Sequence, residues 1–203
     1  MVNVKEYQSL REKTTRDVAG SLGLLPHFNY FKLNNPSAGL PYHNNQHAYS
    51  VALLSYQGGV ENGLELDELK LLFIASLFHD WNHTGGRSSE QVNLANAVEG
   101  ALRLMRLQKH PEKDLWTVMF LIYATDNRFD RTGSPSYPLM KQIIADADIL
   151  QNVEPDYGWF ISGLSVELNA PITLESTRKF MAEHNFHTNW ARSKVNNALH
   201  LIK

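Results

Sequence analysis

Four of the nine histidines fall into two pairs with the same separation, His43 with His47 and His79 with His83. Imidazoles act as acids, bases and metal ligands near neutral pH. On a helix, residues four apart share one face and can reach a common ion or substrate. The stripe of His43 and His47 continues through Val51 and Leu54, so this face is expected to point into the core. His79 closes the apolar run Leu69 to Phe78 and is followed at once by Asp80. A carboxylate beside an imidazole at the end of a buried helix is costly unless positive charge compensates it. A divalent cation is the natural compensator, since zinc, iron and manganese accept imidazole and carboxylate together and magnesium accepts the oxygens. Asp146 and Asp148 interrupt the apolar stretch Ile143 to Leu150, and one of them is expected to face the same site.

Composition narrows the alternatives. The 203 residues carry 19 Lys plus Arg and 21 Asp plus Glu, a net charge of −2, with 43% apolar and 20% charged residues. This is the composition of a globular domain with a real core. The near-neutral balance argues against an extended nucleic-acid surface. The absence of cysteine excludes disulfides, thiolate zinc sites and cysteine nucleophiles, so any metal must use nitrogen and oxygen ligands. The first residues lack the pattern of a signal peptide and no apolar run is long enough to span a bilayer, so a cytoplasmic location with no membrane partner is the expectation.

The elements that must position these groups read as helices. Apolar residues recur three and four apart, as in Leu66, Leu69, Leu72, Phe73 and in Met140, Ile143, Ile144, Ala147. The pattern predicts helices over about 5–20, 44–57, 66–80, 88–108, 113–126, 136–152, 156–168, 173–184 and 188–202. Gly20, Gly23 and Pro26 stop the first, and Gly85-Gly86 precedes Ser88 and Ser89, either of which can cap the fourth. The stretch from Pro26 to Pro41 reads as a long irregular connection. With no repeat and no linker, the expectation is a single all-α domain over 1–203, a compact bundle of seven to nine helices.

The order His47, His79-Asp80, Asp148 resembles the H…HD…D signature of the HD-domain metal-dependent phosphohydrolases. Pro41-Tyr42-His43-Asn44-Asn45-Gln46-His47-Ala48 and His79-Asp80-Trp81-Asn82-His83-Thr84-Gly85 resemble two motifs of the class I cyclic-nucleotide phosphodiesterase catalytic domains. Ala124-Thr125-Asp126 resembles a third, and Ala147-Asp148-Ile149-Leu150 the Ala-Asp-X-Leu form of their last metal ligand, which favours Asp148 over Asp146. The resemblance implies an HD-type helical bundle and two divalent cations, the first held by His47, His79, Asp80 and Asp148, with Asp80 bridging to the second. It implies His43 as general acid, His83 and Glu90 ordering the second metal's waters and the bridging hydroxide, and Asn96, Thr125 and Asp126 as weaker outer contacts.

The chemistry agrees with this. Two close cations lower the pKa of a shared water, screen a phosphate's charge and stabilise in-line displacement, while an acid such as His43 protonates the leaving alkoxide. The expected substrate is a small phosphoester, a nucleotide and foremost a cyclic nucleotide. A nucleotide monophosphatase, a di-iron oxygenase on the same scaffold and a sensor without turnover are the rivals. No glutamine follows Gln151, so the glutamine with which the phosphodiesterases hold the purine has no counterpart there. Phe180, His184, Phe186, His187 and Trp190 are candidates for stacking on a base, although such spacing more often serves packing. Lys141, Arg87, Arg128 and Arg131 are candidate phosphate contacts, each more simply read as a solvated charge.

Overall fold

The structure is a computed structural model and describes residues 3–126 and 137–198. Within them lie α1 (Val4–Ser21), α2 (Leu25–Asn34), α3 (Asn45–Glu61), α4 (Leu66–Phe78), α5 (Glu90–Leu107), α6 (Glu112–Tyr123), α7 (Pro138–Leu150), α8 (Tyr157–Leu168), α9 (Leu174–Glu183) and α10 (Asn189–Ala198). A single 3-10 turn, Gln151–Val153, extends α7, and no strand occurs among the described residues. The fold is all-α, with ten helices among the described residues where seven to nine were expected.

The additional helix is α2, in the segment read as irregular. Pro26 was expected to break structure, but it sits in the first turn of α2, where its missing N–H has no intrahelical partner to lose. Phe28 and Phe31 then bury one face of α2. The remainder of the connection is ordered by Asn35, whose side-chain oxygen accepts from the backbone N–H and hydroxyl of Ser37. The same Ser37 hydroxyl lies 3.1 Å from the carbonyl of Asp80, so its one proton is shared between the two acceptors.

At the centre is α4. Every residue from Leu72 to Phe78 is buried, as required of a helix covered on all sides, and α2, α3, α5, α6 and α7 pack around it. Burying a side chain such as Phe73 or Leu77 contributes about 1.5–3 kcal/mol. This packing fixes the end of α4, where His79 follows, against α3 and α7. At the other side, α1 is clamped to the chain after α7 by Arg11, which reaches Asp156 through two hydrogen bonds of 2.6 and 2.9 Å, both side chains buried.

Gly163 brings α8 against the loop before α3. A Cβ there would lie 2.3 Å from the Pro41 carbonyl oxygen, a backbone atom that cannot rotate away. Gly163→Ala is expected to push α8 outward at a cost of about 1–3 kcal/mol, seen as a lower thermal midpoint. Because Glu167 lies one turn further along α8, the same change separates Glu167 from His43. An unchanged midpoint and an intact Glu167 contact would contradict this packing.

Candidate metal centre

Two helix ends and one helix interior meet at the site. His47 lies in the first turn of α3, His79 caps the C-terminal end of α4, Asp80 follows it, and Asp148 projects from α7. Asn44 caps α3, accepting from the N–H groups of Gln46 and His47, while its amide donates to the carbonyls of Leu40 and Pro41. The helical reading of both histidine pairs is therefore corrected. α3 starts only at Asn45 and α4 stops at Phe78, since the Asn44 cap and the turn at Trp81-Asn82 divert the chain. The imidazoles converge through loop geometry instead.

His47 Nε2 and His79 Nε2 lie 3.0 Å apart. Asp80 Oδ2 is 2.8 Å from the first and 3.0 Å from the second, and Asp148 Oδ1 is 3.3 and 3.4 Å from them. Metal bonds of about 2.0–2.2 Å put neighbouring ligand atoms roughly 3.0–3.5 Å apart in octahedral or tetrahedral coordination, so this donor set fits one divalent ion. The other imidazole nitrogens are engaged behind the site, His47 Nδ1 with Gln151 Oε1 at 2.6 Å and His79 Nδ1 with the Ser76 carbonyl at 2.8 Å. A carbonyl accepts, so His79 carries a proton on Nδ1, which leaves Nε2 as the atom that would meet a cation. Buried His47 and His79 with Asp148 can hold a metal ion.

The electrostatics point the same way. Burial alone would lower the pKa of His47, but hydrogen bonds to Asp148 and Asp80 outweigh it and raise it to about 9. His79 is likewise raised well above its ordinary value against the pull of burial, by Asp80 and Asp148. Asp80 and Asp148 are held below theirs, burial being overcome by the imidazoles. Protons here occupy the position a cation would take.

The raised imidazoles stabilise the metal-free protein fully below pH 6.5, and that contribution is lost as pH rises through about 9. The lowered carboxylates contribute above their ordinary 3.8, and this is lost as pH falls through the lower native values. Metal uptake at pH 7 is expected to release about two protons, one per imidazole. Titration calorimetry in buffers of different ionisation enthalpy measures this; uptake without proton release would put the ion elsewhere.

A second group adjoins the first. His43 Nδ1 lies 2.7 Å from Glu167 Oε2, and Glu167 Oε1 accepts from the backbone N–H groups of Tyr42 and His43. The Glu167 side chain is only 3% exposed. Burial would raise its carboxyl, but His43 and the two N–H groups hold it below the ordinary range. The ring of His83 stacks on His43 at 3.6 Å. Its Nδ1 accepts from Gly85 N–H and its Nε2 is 2.9 Å from the Asn93 amide, and burial pushes it down to about 4.

These residues open onto a cavity of about 240 Å³ lined by Tyr42, His43, Asp80, His83, Glu90, Thr125 and Asp148, with Ile149, Asn152, Leu164 and Phe180 completing the wall. Burial and then the charge of Asp80 push the Glu90 carboxyl up. Other expected residues lie elsewhere. Asn96 lines a separate cavity beside Trp81 and donates to the Asn82 carbonyl. Asp126 is not in the wall, although its charge is felt by Glu90. Asp146, weighed against Asp148, accepts from His187 N–H and from the N–H and hydroxyl of Thr188, so it anchors the start of α10 while Asp148 faces the imidazoles.

Of the tail aromatics, Phe180 lines the cavity. Phe186 and Trp190 are core, and His184 packs between Phe180 and Phe186. Lys141 is buried over the Phe120 ring, whereas Arg87 is exposed. Arg128 and Arg131 lie outside the described residues. Glu167 and Gln151 were not singled out in the sequence. Gln151 carried a usable signal, since it follows Asp148 by three positions and so returns to the same side, whereas Val166-Glu167-Leu168 has none.

No helix among the described residues is long and apolar enough to cross a membrane. Comparison with protein-family models and with curated proteins finds no match to this chain.

Proposed function

We propose that the protein is a metal-dependent phosphohydrolase that cleaves a phosphoester bond of a nucleotide, with a cyclic nucleotide as the foremost substrate. The observation that carries this reading is the convergence of His47, His79, Asp80 and Asp148 beside the His43–Glu167 pair, with His43, Asp80 and Asp148 in the wall of one cavity. Such a set would hold a divalent ion of the zinc, magnesium, manganese or iron class, and a second ion is taken from the resemblance to the phosphohydrolases alone. When bound, the ions supply Lewis-acid polarisation of the phosphoryl group and acidify water.

The protein's own groups do the remainder. Glu167 engages His43 Nδ1 and fixes the ring, which leaves Nε2 to give its proton to the leaving oxygen. His83 holds the plane of that ring by stacking. Glu90, whose carboxyl is pushed up by burial and nearby acids, stands at the cavity edge to orient the attacking water. In the wall of the same cavity, Ile149, Leu164 and Phe180 offer apolar surface and Asn152 an amide, a combination that suits the flat face and polar edge of a nucleobase.

The test is a screen of cyclic nucleotides, dinucleotides and mononucleotides with manganese, magnesium or zinc, read by chromatography and phosphate release. The expected result is a cleaved diester without free phosphate. Bound iron, oxygen consumption and no cleaved phosphoester would overturn the reading in favour of an oxygenase.

A further inference from the structure

Gln151 is fully buried and opens the 3-10 turn that continues α7. Its carboxamide spans two residues of the loop and helix opposite. Oε1 lies 2.6 Å from His47 Nδ1, and Nε2 donates to the Tyr42 hydroxyl. The Tyr42 ring in turn packs against the His47 ring at 4.9 Å and against Phe160 at 6.2 Å. The Arg11–Asp156 clamp holds the chain five residues beyond Gln151.

A carboxamide is a two-state device, because one end only accepts and the other only donates. With Oε1 toward His47, the imidazole keeps its proton on Nδ1 and its lone pair on Nε2, the atom that meets His79, Asp80 and Asp148. With the carboxamide reversed, Nδ1 would be the acceptor and Nε2 would carry the proton, which blocks ligation. The Tyr42 hydroxyl, accepting from the carboxamide nitrogen, matches the first of the two.

We propose that Gln151, held by the Tyr42 hydroxyl, is a positioning residue that fixes the His47 tautomer in which Nε2 binds the cation. This rests on the metal-centre reading above. A neutral acceptor fills a role for which a carboxylate is the stronger choice, since a charged acceptor raises the basicity of a ligand imidazole. Gln151 therefore holds His47 in place while keeping metal affinity below what the fold permits. The neutral apolar variant is expected to lose affinity and the charged one to keep or raise it.

The experiment measures zinc affinity by competition with a chelating indicator, together with imidazole ¹H–¹⁵N spectra of the zinc-loaded full chain. Wild type is expected to show His47 protonated at Nδ1, with that proton downfield and protected from exchange. Gln151→Leu should bind zinc about 10–100-fold more weakly and lose the protected resonance. Gln151→Glu should bind at least as tightly as wild type and retain it. If Gln151→Leu fails to fold, a weakened Gln151→Glu or a wild-type His47 protonated at Nε2 overturns the proposal. Equal affinity in wild type and Gln151→Leu overturns it while leaving the metal centre intact. No zinc uptake by wild type overturns the metal-centre reading and this proposal with it.

Discussion

Asp80→Ala is expected to abolish metal binding and turnover together and to destabilise the metal-free protein. Asp80 Oδ2 stands within 3.0 Å of both inward imidazole nitrogens, and its removal leaves His47 and His79 facing each other across 3.0 Å with only Asp148 to balance them. Taking one partner from a buried ionic cluster costs about 3–5 kcal/mol. The Asp80 side chain is 16% exposed, which puts the expected loss at the low end, about 3 kcal/mol. For a protein of this size that lowers the thermal midpoint by roughly 6–12 °C. Asp80→Asn should recover part of the midpoint, because its carbonyl still accepts from an imidazole, but not the metal. A midpoint within about 1 °C of wild type would mean that the four groups do not form one electrostatic unit.

His43→Ala separates turnover from metal binding. His43 belongs to the neighbouring group, with Nδ1 on Glu167, and it is not among the atoms that converge with His79 Nε2. The variant should retain its metal content and lose roughly 10²–10⁴-fold in kcat, the range for a positioned acid. A substrate with a good leaving group, such as a nitrophenyl ester, should lose much less, since its leaving oxygen needs no proton. Glu167→Gln should fall between wild type and His43→Ala, because it keeps the orienting contact and loses the charge. Equal losses on activated and natural substrates would remove His43 from the acid role.

Much of the frame was legible from periodicity. Apolar repeats three and four apart marked α4 and α7, and the run Leu69 to Phe78 gave away a helix buried on every side. α2 was hidden because Pro26 reads as a stop when it stands inside a first turn, where proline costs nothing. The histidine pairs named the right kind of group for a local reason that does not hold, as neither pair lies on a single helix. Caps decide this: Asn44 turns the chain into α3 after His43, and the α4 helix has ended before His79. Asp148 and Asp146 differ by two positions, and on a helix that rotation separates a group facing the imidazoles from one capping α10. Glu167 was beyond reach, since its contact spans 124 residues and depends on Gly163 letting α8 approach Pro41.

The central claim is that the two Nε2 atoms and two carboxylates gather around a cation. Anomalous diffraction from crystals soaked in zinc or manganese, collected on both sides of the metal's absorption edge, addresses it most directly. The account predicts a peak bonded to His47 Nε2, His79 Nε2, Asp80 and Asp148. A fully soaked crystal with no peak there, and with the four side chains still in direct hydrogen bonds, would contradict it.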